Sequence, residues 1–278
     1  MNARKRIAHV VIYVVLAVMA LATLFPLWFL LINSFKSQSE IIKSPLALPK
    51  SLDFSHILNA IKQIDLGNSF LLTALITVVG VAFIIVVSSS VAWMMVRFKS
   101  KVANALLLVF TASMLVPFQA IMYPLINEFD DLGLKNTSGL VIMYGGFGLA
   151  MSVFLYHGFI KSIPVSLEEA AFMDGANVFQ VYWKIVMPLM KPTTATVAIL
   201  NGMWIWNDYL LPFLVIGNGE HKTLTLAVYF AKIESGQYGN AWDLIFPAVL
   251  ITIIPIVVIF LFLQKHIIKG MIAGSVKQ

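Results

Sequence analysis

Six stretches of this chain stay apolar for about 20 residues or more, the length a helix needs to cross the ~30 Å hydrocarbon core of a bilayer. They run approximately over residues 8–32, 70–96, 103–127, 139–160, 193–216 and 242–263. No period-2 alternation of short strands accompanies them, and lipid accepts only helices or closed barrels, so all six are expected to be helical. The first begins like a signal peptide, with Arg4, Lys5 and Arg6, and Ala20-Leu21-Ala22 resembles a cleavage site. Its apolar run nevertheless continues to Ile32, too far for such a leader, so a retained first helix is expected.

Composition points the same way. The chain has 278 residues, of which 60% are hydrophobic and 12% charged. Soluble domains carry ~25% charged residues, and a soluble fold of this size could not cover its surface with so few. Disorder is excluded by the same numbers. Cysteine is absent, which removes disulfides, thiolate zinc sites, iron–sulfur clusters and thiol nucleophiles. The net charge of +6 sits beside the apolar runs, where it suits anionic lipid headgroups rather than nucleic acid. The expected fold is an all-α polytopic membrane protein, one transmembrane domain over residues 1–278 with six transmembrane helices.

Lysine and arginine set the orientation. With the N-terminus inside, 12 of the 19 basic residues fall on inner segments, among them Arg97, Lys99, Lys101, Lys161, Lys184, Lys191, Lys265 and Lys269. Both termini are therefore expected in the cytoplasm. Two outer segments are long. Residues 33–69 place Phe54, Ile57, Leu58, Ile61 and Ile64 on one helical face, for the membrane surface or a partner helix. Residues 217–241, rich in glycine and polar side chains, are expected to be irregular. Pro117 and Pro124 bracket residues 118–123 of the third span. Such prolines mark either packing kinks or a broken helix lining a path.

The fourth and fifth spans are joined by residues 161–192, a connection long enough to carry function. Ser166-x-x-Glu169 reads as a capping box that starts a helix at Leu167. Glu168 and Glu169 lie in its first turn, where the helix dipole favours acids. Asp174-Gly175 ends it, with Gly at the C′ position. A second short helix to about Val186 places Val178, Phe179, Tyr182, Trp183 and Val186 on one face. This is a protrusion into water with more apolar side chains than a solvated loop holds, which asks for a partner.

Glu169-Ala170-Ala171, three residues, Gly175, nine residues, Ile185, and Met187-Pro188 resemble the EAA loop of ABC importer permeases, with Met187 in place of the family's leucine. Asn68-Ser69, Trp206-Asn207-Asp208-Tyr209-Leu210 and the tail from Gln264 resemble the maltose-type carbohydrate importers, in particular their smaller permease subunit. The resemblance implies the MetI-like permease fold in a bacterial inner membrane. It implies a second permease subunit, two cytosolic ATPase subunits that hold ATP and magnesium, and an extracytoplasmic solute-binding protein that delivers the sugar. It makes the loop a coupling helix docked on the ATPase, with Glu168, Glu169, Ala170, Ala171, Asp174, Gly175 and Pro188 as its residues. It also assigns residues 217–241 to the loop that reaches the binding protein, with Glu234, Gln237 and Tyr238 near the tip. The tail after Gln264 matches one inserted between the ATPases, or else its basic residues are membrane anchors.

The chain lacks G-x-x-x-x-G-K-[ST], and none of its glycines precedes a lysine. It has no phosphate cradle of that kind and is not expected to carry a cofactor, a metal or a catalytic residue of its own. Asp208 is the one carboxylate placed well inside a span, a position that defaults to function. With Asn207 and Trp204 it gives the fifth span a polar, aromatic face suited to sugar; the alternative is a helix-pairing role. Gln119 is a further pathway candidate. His157, alone in the fourth span, reads as packing. A glycerol phosphate or another polar solute is the alternative cargo, and no basic cluster within the spans favours it. An intramembrane protease would need H-E-x-x-H, Ser/His or paired aspartates, and a passive channel would not need the structured loop.

Overall fold

The computed structural model describes residues 3–235 and 241–275, with side chains for residues 9–234 and 241–262. Every regular element among them is a helix. In chain order these are α1 (Ala3–Asn33), α2 (Gln38–Lys43), α3 (Ser55–Gln63), α4 (Leu66–Arg97), α5 (Lys101–Ser113), α6 (Phe118–Asp131), α7 (Thr137–Ile160), α8 (Ser166–Met173) and α9 (Val178–Val181). A π turn, Tyr182–Val186, leads to α10 (Met187–Leu189), α11 (Lys191–Asn207), α12 (Leu210–Val215), α13 (Leu224–Ser235) and α14 (Trp242–Ser275).

Within the described residues α1, α4, α7 and α14 are long and apolar enough to cross a membrane. The third apolar run is two helices, α5 and α6, bent by 105°. The break falls at Pro117, which is extended (φ −68°, ψ 139°) and whose missing N–H suits the start of α6. Pro124 is carried inside α6 without a break. The fifth run also divides, because Asp208 leaves the helical region (ψ 133°) between α11 and α12. The last helix runs past residue 263 to Ser275.

The chain packs as two units. One comprises Met1–Gly67 and Ala227–Pro255. Its core is made of small contacts: Ala60 and Ile64 of α3 against Ala227 and Ala231 of α13 and Leu244 and Ala248 of α14. Residues 217–241 are therefore not irregular throughout; 224–235 are helical because Leu224, Ala227 and Ala231 recur at helical spacing and are buried. The amphipathic segment 54–64 packs its Ala60–Ile64 face inside this unit, while Phe54 and Leu58 remain exposed. Gln38 caps α14, its Oε1 accepting from the Trp242 amide at 2.7 Å.

In the same unit Lys36 is fully buried just beyond α1. Its ammonium donates to Asn33 Oδ1 (3.1 Å), Ser44 O (3.0 Å) and Pro45 O (3.3 Å). Burial pushes its pKa below the ordinary lysine value, against the pull of Glu40. The three donors close residues 36–45 onto the end of α1. Lys36→Met leaves Asn33 Oδ1 unpaired, at ~1–3 kcal/mol for a buried group, while Ser44 O and Pro45 O keep the Ala47 amide and the Asn33 side-chain amide. Proteolysis between residues 34 and 54 of the detergent-solubilised chain is expected to accelerate by tenfold or more on this ~2 kcal/mol scale. Cleavage at the wild-type rate would show that the clip carries no load.

The second unit comprises Asn68–Leu226 and Ile256–Gln278. Its core runs down α4 and α7, from Ile76, Leu140 and Tyr144 through Ile84 and Val153 to Trp93, Tyr156 and Ile160. Glycine permits the close approach of these helices. A Cβ at Gly145 would stand 2.5 Å from the Phe83 ring, and one at Gly148 would stand 2.3 Å from Ile84 Cδ1. Small residues at such crossings, with side-chain hydrogen bonds between helices, replace the hydrophobic drive that lipid removes. Tyr156 donates to Thr194 (2.9 Å) and Asn201 to Ser152 (3.0 Å), tying α7 to α11.

Candidate functional site

Helix α8 starts at Ser166, one residue before the expected Leu167, and the Ser166–Glu169 capping box does not form. The turn at Pro164 has already set Val165 in helical conformation, so Val165 is the cap. Its carbonyl accepts the amides of Glu168 (2.9 Å) and Glu169 (3.1 Å). A capping box exists instead at α9. There the Asn177 side chain accepts from the Gln180 amide and the Gln180 side chain accepts from the Asn177 amide, both at 2.9 Å. The spacing N-x-x-Q at 177–180 carries that signal in the sequence. The other end of α8 is as expected. Gly175 has φ +83°, and the amides of Gly175 and Ala176 donate to Phe172 O (3.0 Å) and Ala171 O (2.9 Å), a Schellman motif.

The two glutamates of α8 point in opposite directions. Glu168 is only 3% exposed and turns inward. Its Oε1 accepts from Arg97 Nη2 (2.6 Å) and Nε (2.9 Å), and its Oε2 accepts from the Trp93 indole (2.9 Å). Arg97 also reaches Ile163 O at 3.2 Å. A buried charge pair with both partners hydrogen-bonded thus fastens α8 to the last turn of α4. Glu169 is exposed, as are Ala170 and Asp174, while Ala171 is half-buried. Pro188 opens α10 and is exposed.

The five apolar residues expected on one face of the second helix divide. Tyr182 and Val186 turn inward, whereas Val178, Phe179 and Trp183 stay exposed. The cause is Tyr182, whose hydroxyl lies 2.6 Å from Ser89 Oγ of α4 and whose ring lies 5.5 Å from that of Trp93. What remains outside is an apolar patch around α8 and α9. Met173 is 88% and Phe179 77% exposed, and Leu167, Phe172 and Trp183 join them. Only Gly at position 175 accepts its positive φ cheaply, and a Cβ there would meet nothing within 4 Å.

Three of the four pathway candidates come together. Gln119, Trp204 and Asp208 line one cavity of about 200 Å³ with Phe118, Phe147 and Leu211. Asn207 does not join them; its amide donates back to Met203 O at 2.7 Å. Asp208 has structural work as well. It accepts from Tyr144 Oη (2.9 Å) and from the Leu210 amide (3.0 Å), and its carbonyl accepts from Thr225 Oγ1 (2.7 Å). It therefore holds the first amide of α12 and, through Tyr144, ties this turn to α7. The Trp204 ring meets Tyr144 edge-on at 5.3 Å. A second cavity of about 840 Å³ lies beside the first, at the α5–α6 bend, and shares Phe118, Phe147 and Trp204. Neither lining contains Lys or Arg.

Glu234 is exposed near the end of α13. Gln237 and Tyr238 lie outside the described residues, as do the side chains of the tail after Gln264. Arg97 and Trp93 carried no sequence signal for their role, since their partner stands 71 and 75 residues away.

The family described as "Binding-protein-dependent transport system inner membrane component" matches residues 84–273. The chain is 41% identical, over 94% of each sequence, to a probable starch degradation products transport system permease protein, AmyC, of Thermoanaerobacterium thermosulfurigenes. It is 35% identical over the full length of both to the multiple sugar-binding transport system permease protein MsmG of Streptococcus mutans. Melibiose/raffinose/stachyose import permease protein MelC of Bacillus subtilis is 34% identical, also end to end. Among solved structures, a bacterial ABC transporter involved in the import of the acidic polysaccharide alginate superposes with a TM-score of 0.81 at 25% identity, over 95% of this chain and 98% of that one. The chain is an inner-membrane permease of the binding-protein-dependent ABC transport family.

Proposed function

We propose that the chain is one of two permease subunits of an importer for neutral sugars or oligosaccharides, driven through α8 by cytosolic ATPase subunits. The observation that carries the coupling role is the pairing of Glu168 with Arg97 beneath an apolar, acid-bearing face. The helix is fixed to α4 on one side and left without a partner on the other. A rigid contact of this kind lets closure of a separate motor move one helix group against another. Glu169, Ala170, Ala171, Asp174, Gly175 and Pro188 form the docking segment, and Glu168 anchors it from within.

The membrane path is one domain of six crossings: α1, α4, the α5–α6 pair, α7, the α11–α12 pair and α14. Both termini lie in the cytoplasm, which the placement of 12 of 19 basic residues supports. An extracytoplasmic binding protein would meet the outer segments, with Glu234, Gln237 and Tyr238 near the contact. Trp204, Asp208 and Gln119 contribute this chain's share of the sugar path; aromatic faces and a few polar groups suit a sugar's C–H surface and hydroxyls. The names of the relatives refer to starch degradation products and to melibiose/raffinose/stachyose. Cavity linings free of Lys and Arg favour a neutral cargo over glycerol phosphate.

A deletion strain tested with labelled starch-derived and raffinose-type oligosaccharides is expected to lose uptake of at least one, restored by the gene in trans. Full retention of both, with loss of glycerol phosphate uptake, would replace the sugar reading by the alternative.

A further inference from the structure

The fifth apolar run divides at Asp208 because of Pro212, four residues further on. A helix continued through Asp208 would place the amide of residue 212 on the Asp208 carbonyl. Proline has no N–H to give, and its ring clashes with that carbonyl. Asp208 is accordingly extended, with ψ 133°, and α12 restarts at Leu210 with Pro212 in its first turn. A carbonyl freed in a membrane span must find a partner in the protein or in cavity water. The Thr225 hydroxyl is that partner, donating to Asp208 O at 2.7 Å from 17 residues along the chain.

Thr225 is itself held in place. It lies in the first turn of α13, whose leading amide, on Leu224, has no acceptor within the helix and donates to Thr73 Oγ1 of α4 at 2.9 Å. Thr73 is buried and donates its own hydrogen to Ser69 O, 2.7 Å away. Leu224 and Leu226, on either side of Thr225, are fully buried. The backbone oxygen of Asp208 is therefore fixed from α13 and, behind it, α4. Its carboxylate is fixed by Tyr144 Oη (2.9 Å) and the Leu210 amide (3.0 Å). Each carboxylate oxygen keeps a further lone pair, and Asp208 lines the cavity of about 200 Å³ with Gln119 and Trp204.

We infer that Thr225 is a positioning residue for the sugar path: its hydroxyl sets the direction of the Asp208 peptide and so the aim of the Asp208 carboxylate at a sugar hydroxyl in the cavity. The inference rests on the reading of Gln119, Trp204 and Asp208 as that path. A carboxylate accepts and a sugar hydroxyl donates, so an oriented Asp208 adds a charge-assisted hydrogen bond. A hydroxyl that only satisfied a carbonyl would be replaceable by water, because Asp208 is half-buried beside a cavity and a bridging water serves a carbonyl nearly as well. Water does not fix direction. It leaves the Asp208 peptide free to turn, and the cost of ordering it then falls on sugar binding.

The test compares three variants in the purified transporter with its partner subunits. Thr225→Val keeps the branched shape and loses the hydroxyl, Thr225→Ser keeps the hydroxyl, and Asp208→Asn removes the charge. Equilibrium dialysis with labelled maltotriose and raffinose reads sugar binding, and hydrogen exchange of peptides spanning residues 204–216 reads the break. Thr225→Val is expected to weaken sugar binding about threefold to tenfold, the scale of one net hydrogen bond, and to speed exchange at Leu210, at an unchanged melting midpoint. Thr225→Ser should match the wild type in all three, and Asp208→Asn should weaken binding at least as much as Thr225→Val. Wild-type exchange in Thr225→Val overturns the inference. So does wild-type binding in Thr225→Val where Asp208→Asn has lost it, or a binding loss that comes with a lower melting midpoint and that serine does not restore. Faster exchange in Thr225→Val with sugar binding indifferent to both positions, or absent from the unmodified transporter, would instead remove Asp208 from the path and the role of Thr225 with it.

Discussion

Glu169→Lys is expected to reduce uptake to background while the protein's amount in the membrane and its thermal midpoint stay as they were. Glu169 is exposed and lies on the outer face of α8. An exposed substitution of this kind changes stability by about 0.5 kcal/mol or less. Reversing a charge that a partner covers is a different matter, costing ~2–5 kcal/mol, or about 30- to 5000-fold in the docked population. Gly175→Val should also block uptake, by another route. With φ at +83° and no neighbour within 4 Å, its cost is backbone strain alone, ~1–2 kcal/mol for any L residue and more for a β-branched one. The end of α8 then opens, and the Ala171–Ala176 turn with it. Gly175→Asn, which tolerates the left-handed region, should retain much of the activity. The measurements are vesicle uptake, ATP hydrolysis and fluorescence-detected melting of the same preparation. Wild-type uptake with Lys at 169 would mean that the motor grips another surface.

The parts of this fold that depend on local pattern were legible in the sequence. The apolar runs and the left-handed Gly175 followed from period and turn chemistry, and Pro117, which allowed either a kink or a break, is the break. What was misread depended on contacts distant in sequence. The glycines at 217, 219, 236 and 239 give residues 217–241 the composition of a loop, but they flank rather than enter 224–235, where Ala227 and Ala231 are buried against Ala60 and Ala248. Tyr182 left its expected face because Ser89 and Trp93, on another helix, pull it inward. Asp208 kept both of its readings: it lines a cavity with Gln119 and Trp204, yet both its oxygens serve the fold. Ser166-x-x-Glu169 failed as a capping box because Pro164 began the helix first. The pair Glu168–Glu169 looked interchangeable on paper, and only the position of Arg97 separates them.

That separation gives the second large effect. Glu168→Leu should abolish uptake and, unlike the change at 169, also lower the melting midpoint. It leaves the part-buried Arg97 guanidinium with Ile163 O alone and the buried Trp93 indole without its acceptor, and breaking a pair of this kind from one side costs up to ~3–5 kcal/mol. That is a large share of a typical stability of ~5–15 kcal/mol. Arg97→Met with Glu168→Leu removes both charges at once, and well-packed apolar replacements of a buried pair are often neutral. The double variant, made in a Trp93→Phe background to remove the remaining donor, is therefore expected to melt near the wild type. Uptake then separates two roles. If the pair served only to hold the fold together, transport would return with stability. If it is the strut that carries motion from α8 into α4, apolar packing alone leaves the helix free to rotate about its axis. ATP hydrolysis should then continue while uptake stays at least tenfold down, on the scale of a lost buried interaction of ~1.5–3 kcal/mol. A stable double variant that transports at the wild-type rate would assign the pair to folding and leave the work of coupling to the exposed face of α8.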